Sequence, residues 1–272
     1  MKKLLRKISN KLVRTKITPF FVPVTKDTVL ESKVALIVGG SGGIGFGIAK
    51  RFVSSGCKVI LTGTNEEKLI KHTEALGENA KYILTNVKNI SEIKAKISEA
   101  ANFFGKIDIM VYSVGVHCQN KFGNITENDW DDDLDINLKG MYFYCQEFAN
   151  YLIGNNLKGH ILNISSASCA KPGWTPYEIS KAGVRSLTLG LADKLIPKGI
   201  VVNSIAPGPV ATDMLGVKNE DDLTWQGNPT GRMATVEEIA ELAVFMASGQ
   251  GDLIVGDTYF ISGGSGTVCL DR

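Results

Sequence analysis

The chain is poor in the residues that hold metals and covalent staples. Its five cysteines (57, 118, 145, 169 and 269) are odd in number and scattered over 272 residues, and no Cys-x-x-Cys occurs. That pattern argues against a zinc ribbon or a disulfide framework, so reduced thiols and a cytoplasmic setting are expected. The three histidines (72, 117 and 160) form no metal-ligand motif with one another. No apolar run approaches the roughly 20 residues that span a bilayer. The net charge is only +2.

What is present suits one large α/β domain. The chain is 44% hydrophobic and 21% charged, long enough for a core that needs no staples. Its charge is uneven. Residues 1–16 hold seven basic side chains and no acid, so the first 30 residues carry +7 and the remainder −5. Within this arm Leu4, Leu5, Ile8, Leu12 and Val13 recur at helical spacing, with the basic residues largely opposite. Such a stretch can lie peripherally on an anionic membrane or dock on a partner such as an acidic carrier protein. It is no secretory signal, because the charges continue through the segment that should be apolar. The acidic domain behind it disfavours nucleic acid. The expected division is therefore an N-terminal extension, 1–30, and a single domain, 31–272.

From residue 33 short apolar runs alternate with helix-period segments. Strands are expected at 33–38, 58–62, 80–85, 107–113, 160–165, 200–204 and 256–261. Helices are expected after the first glycine-rich turn, over 65–76, capped by Thr64 and Glu67, and over 90–104. Buried strands alternating with helices predict a Rossmann-type, doubly wound parallel sheet of seven strands flanked by helices. Between the first strand and its helix lies Gly39-Gly40-Ser41-Gly42-Gly43-Ile44-Gly45. Glycines there permit a tight turn and let backbone amides approach a pyrophosphate at the helix N-terminus. Farther on, Tyr177 and Lys181 stand four residues apart, on one face of a helical turn. A lysine cation beside a phenol would lower its pKa from about 10 and suit it to proton transfer.

Together these segments resemble the short-chain dehydrogenase/reductase family, in its 3-oxoacyl-reductase-like branch, over about residues 31–264. The glycine loop, Asp135-Ile136-Asn137-Leu138-Lys139-Gly140, Asn163-Ile164-Ser165-Ser166, Tyr177-x3-Lys181, the Pro207-Gly208 segment and Ile261-Ser262-Gly263-Gly264 follow the family's motif order. The resemblance implies a ketone reductase with a catalytic set of Asn137, Ser166, Tyr177 and Lys181. Tyr177 would be the acid/base, Lys181 its tuner and a ligand of the nicotinamide ribose, Ser166 a donor to the substrate carbonyl, and Asn137 part of a proton relay. Ser166 lies 11 residues before Tyr177, closer than the family pattern, so Ser165 and Ser168 stay open. The implied cofactor contacts are Gly39, Ser41, Gly42, Gly43, Ile44, Gly45, Thr64, Asn86, Val87, Gly115, Tyr177, Lys181, Pro207, Gly208, Val210 and Thr212.

Three segments depart from the pattern. Val38 replaces a threonine, Asn86 an aspartate, and Tyr112-Ser113-Val114-Gly115 stands for Asn-Asn-Ala-Gly. Gly63 and Thr64, at the end of the second strand, provide neither an acid to repel a 2′-phosphate nor an arginine to bind it, which favours NADP over NAD. Residues 214–229, with Leu215, Val217 and Trp225, are expected to form a mobile lid, and His117, Cys118 and Trp174 to line the pocket. The substrate is a carbonyl or alcohol: a 3-oxoacyl thioester, a small ketone or a keto-sugar. A non-catalytic NAD(P)-binding protein is the competing class. Gly183 and Gly190, in the Tyr177 helix, suggest close helix packing across a subunit interface, in a homotetramer or homodimer.

Overall fold

The computed structural model describes residues 28–212, 216–217 and 221–268. The amphipathic arm falls outside the described residues. Among them, seven strands form one parallel sheet in the order β3-β2-β1-β4-β5-β6-β7. They are β1 (Val34–Val38), β2 (Lys58–Gly63), β3 (Ala80–Leu84), β4 (Ile109–Tyr112), β5 (Gly159–Ile164), β6 (Ile200–Pro207) and β7 (Thr258–Ile261). The order reverses at β1, where the connection crosses from β3 to β4. A crevice therefore opens between β1 and β4 at the carboxyl ends of the strands, the usual ligand position in such sheets.

The helices divide between the two faces because the strands are apolar on both sides. In β1 every residue is buried. Ala35 and Ile37 pack on one face with Ile48 and Phe52 of α1 (Gly43–Ser54) and Ile239 of the last helix, α7 (Val236–Ala247). Leu36 and Val38 face the other way, toward Ile97 of α3 (Ile93–Phe104), Phe148 of α5 (Gly140–Gly154) and Val184 of α6 (Pro176–Leu195). Fully burying side chains of this size contributes roughly 1.5–3 kcal/mol each. Gly47 lets α1 and α7 meet, since a Cβ there would run into Val236. An ion pair between Arg51 and Glu241 joins the same helices.

Several boundaries differ from expectation. Helix α2 (Glu66–Leu76) is capped by Asn65, whose side chain accepts from the Lys68 amide at 2.9 Å, and not by Thr64. Strand β6 runs on to Pro207, three residues beyond the expected end. Strand β7 starts late because Gly256 turns with φ 78°. The expected lid is pinned in its later part. Leu223 is fully buried, the Trp225 amide donates to the Gly231 carbonyl at 2.8 Å, and Met233 donates to Leu223 at 2.9 Å. Met214 and Leu215 fall outside the described residues.

Candidate active site

The crevice is framed first by glycine. Gly39 adopts φ 94°, and a Cβ on it would stand 2.6 Å from the Ser113 carbonyl oxygen. Only glycine lets the β1 turn lie that close to the end of β4. Helix α1 then starts at Gly43 with no side-chain cap and no acid in its first turn. Its positive end therefore faces a cavity of about 350 Å³ lined by Gly39, Ser41, Gly42, Gly43, Ile44, Gly115, Tyr177, Lys181 and Thr212, among others. An uncapped helix N-terminus in a glycine cradle fits the pyrophosphate of a dinucleotide. Gly115 completes the fit: a Cβ there would lie 3.3 Å from Lys181 Nζ and 3.5 Å from Asn137 Oδ1, inside the cavity floor.

Asn137 sits in a π-helical turn, Asp135–Lys139, between α4 (Glu127–Leu134) and α5. Such a turn inserts an extra residue and re-aims the side chains around it. Asn137 is fully buried. It accepts from the Val116 amide at 2.8 Å, and its amide group donates to the Val116 carbonyl at 2.9 Å and to Ser180 Oγ at 3.1 Å. It thus ties the β4 loop to α6. Tyr112, the departure in that strand, has a defined role. Its hydroxyl donates to the Ile136 carbonyl at 2.8 Å, bracing the π turn beside Asn137. Gly140 makes room for it, since a Cβ there would lie 2.9 Å from the Tyr112 oxygen.

Tyr177 and Lys181 project from the first turns of α6, which starts with a Thr175–Glu178 capping box and Pro176. Lys181 is buried and donates to the Ile164 carbonyl at 3.2 Å. Burial without water lowers its pKa to about 8, while Asp133 opposes the fall. Tyr177 behaves differently from expectation. Its pKa is raised, chiefly by burial, with a hydrogen bond from Ser166 pulling the other way and Asp133 adding to the rise. Lys181 Nζ lies 5.8 Å from the tyrosine ring centre. The lysine is engaged with the Ile164 carbonyl.

The serines separate by partner. Ser165 Oγ donates to the Lys181 carbonyl at 3.3 Å, and Ser168 donates its amide to Ser166 Oγ at 3.1 Å. Ser166 alone of the three bears on Tyr177. A second cavity, of about 520 Å³, lies beyond the tyrosine, and its walls include Ser166, Pro207, Gly208, Val210, Thr212, His117 and Trp225. Ile44, Ser165, Tyr177 and Thr212 line both cavities, so the phenol stands at their junction.

Other expected residues fall elsewhere. Gly45 is inside the turn, where a Cβ would strike the Gly39 carbonyl. Thr64 is exposed, Val87 packs in the core, and Asn86 caps its own loop by accepting from the Lys88 amide at 3.0 Å. None of the four lines either cavity, and neither do Cys118 and Trp174. Sequence reasoning overlooked Lys68, which lines the first cavity from the first turn of α2. It also overlooked Asp133, 1% exposed in an otherwise solvated acidic run, whose carboxylate accepts from the Cys118 amide at 3.4 Å. Burial raises the Asp133 pKa. Among the described residues no group of three His, Cys, Asp or Glu side chains could hold a metal, and no helix is long and apolar enough to cross a membrane.

Comparison with known proteins matches this geometry. The pattern of the short chain dehydrogenase family covers residues 33–223. The chain is 34% identical to the 3-oxoacyl-(acyl-carrier-protein) reductase of Vibrio harveyi, over 86% of this chain and 98% of that protein. It is also 34% identical to the galactitol 2-dehydrogenase of Agrobacterium fabrum, over 87% of this chain and 98% of that one. The crystal structure of 3-ketoacyl-(acyl-carrier-protein) reductase from Brucella melitensis complexed with NADH superposes with a TM-score of 0.81 at 27% identity. It covers 88% of this chain and all of the other. With its phosphate-binding turn, its tyrosine–lysine helix and these relatives, the chain belongs to the short-chain dehydrogenase family and is a nicotinamide-dependent oxidoreductase.

Proposed function

We propose that the protein reduces a ketone to a secondary alcohol, with Tyr177 giving its proton to the carbonyl oxygen. The observation that carries this reading is the position of Tyr177 at the junction of the two cavities. A nicotinamide cofactor held in the first cavity supplies the hydride when bound. The chain's own residues do the rest. Ser166 bears on the phenol and offers a hydroxyl to the same substrate oxygen, which stabilises the negative charge that develops there. A phenol with a raised pKa keeps its proton until that charge appears. Asn137 fixes the β4 loop against α6, and Lys181, buried beneath Gly115, presents its ammonium to the cavity floor.

The favoured cofactor is NADP. Lys68 on the wall of the first cavity offers a cation to a 2′-phosphate, and no acid lines that wall. Gly63 and Thr64 at the end of β2 place no acid there to repel the phosphate. The substrate follows one of two readings: a 3-oxoacyl thioester or other small ketone, or a keto-sugar. The galactitol-acting relative and the polar side chains of the second cavity favour keeping the latter. Assembly into a dimer or tetramer is part of this reading. Gly190 meets nothing within 4 Å and Leu189 beside it is exposed, whereas Gly183 is accounted for within the protomer by Leu138. Light scattering tests the assembly. Ketone-dependent oxidation of NADPH and NADH across a panel of keto esters, thioesters and keto-sugars tests the reaction. Cofactor binding without turnover of any of them would establish a binding protein instead.

A further inference from the structure

The second cavity has a charge that the reaction does not use. Ser168 and Lys171 lie on its wall, both in the loop that leads from Ser166 toward α6. Lys171 is the sole Lys, Arg, Asp or Glu among the residues that line it. Its backbone is fixed, because its amide donates to the Ser168 carbonyl at 3.1 Å. Its stem is placed as well. It crosses Gly266, where a Cβ would lie 3.2 Å from Lys171 Cε and 2.7 Å from the Ala167 carbonyl oxygen. No acidic partner meets its ammonium among the described residues. Around it the wall offers hydrogen-bonding groups from His117, Gln119, Ser168 and Ser265, with Trp225 as a flat apolar side.

We propose, on the basis of the reductase reading above, that the carbonyl substrate carries an anionic group, a carboxylate or a phosphate, which Lys171 binds in this second cavity. A cavity of about 520 Å³ holds a compact molecule of this kind. The carbonyl lies against Tyr177 at one end, and the anion reaches the ammonium at the other. A lysine is a point charge that accepts either anion, so its chemistry alone does not separate the two. Because Lys171 is exposed, its attraction weakens as salt rises.

Two matched pairs test this: acetoacetate against ethyl acetoacetate, and dihydroxyacetone phosphate against dihydroxyacetone. The wild-type enzyme is expected to prefer the anionic member of one pair by roughly tenfold or more in kcat/KM, carried mainly by KM, and the favoured pair identifies the anion. In Lys171→Gln that preference collapses toward unity, Lys171→Arg keeps most of it, and added salt reduces it. Equal preference within both pairs, or a preference that Lys171→Gln retains, overturns the assignment. Calorimetric titration of the same four compounds into the NADP-bound protein gives a second readout. If none of them turns over, the ratio of binding constants within each pair still decides the role of Lys171, while the wider panel of ketones decides the reductase reading.

Discussion

At the scale of single residues, the site is governed by burial more than by the proximity of two charges. Tyr177 and Lys181 stand four apart on α6, and the spacing alone suggests that the ammonium lowers the phenol. The structure shows the reverse direction for Tyr177, because partial burial outweighs the hydrogen bond from Ser166. Lys181 bears the larger consequence. It gives up its proton at about 8 when folded, against 10.5 ordinarily. Between those values the unfolded chain holds more protons, so stability rises with pH across that window. Below pH 8 the buried charge is a standing cost. Lys181→Met is therefore expected to melt several degrees higher at pH 7 while losing most activity, and to lack the wild-type gain in stability between pH 8 and 10. Thermal melts across that range check it; a variant that melts lower at pH 7 contradicts it. The Tyr112 bond to the Ile136 carbonyl predicts a smaller effect. Tyr112→Phe should cost about 1 kcal/mol in denaturant unfolding, since a part-buried carbonyl loses this donor.

At the scale of elements, the strands and the glycine turn are legible in the sequence, whereas the helices around Asn137 are not, although its motif is legible by resemblance. Apolar runs bounded by turns announce buried strands, and the expected positions of all seven lie within a few residues of those observed. Residues 127–154 gave no comparable signal, for two reasons. Helix α4 reads as solvated, and Asp133 is its one buried side chain. The π turn at Asp135–Lys139 then shifts the helical register before α5 begins, so no single period runs through the segment. The cap of α2 lies one residue beyond the expected Thr64: both residues are good caps, and only Asn65 points its oxygen at the third helical amide. The residue whose amide that cap holds, Lys68, lines the cofactor cavity. Gly183 carries the element-scale prediction. A Cβ there would stand 2.7 Å from Leu138 Cδ2, one residue from Asn137. Gly183→Ala gains about 1 kcal/mol of helix propensity and loses about 1–3 kcal/mol to overpacking. The expected net result is lower stability together with a lower kcat, because the strain falls on the Asn137 turn. Unchanged kcat with lower stability would separate α6 packing from the site.

At the scale of the whole molecule, two helical layers cover a parallel sheet, and a crevice opens at the β1–β4 switch. Every part of the proposed chemistry meets there: the uncapped end of α1, the floor at Lys181 with Asn137 behind it, and the phenol between two cavities. A ligand that binds only this folded crevice must stabilise the whole domain, by about 2.7 kcal/mol at a hundredfold excess over Kd. NADPH is accordingly expected to raise the melting temperature by roughly 5–10 °C and NADH by less at equal concentration. The opposite order would reverse the assignment built on Lys68. The most direct test of the account is Tyr177→Phe, assayed with NADPH and a ketone that the wild-type enzyme reduces. The phenyl ring keeps the cavity wall and removes only the proton. NADPH affinity should stay within a few-fold of wild type, while kcat falls by roughly 10²–10⁴. A kcat near the wild-type value would show that another group protonates the carbonyl oxygen.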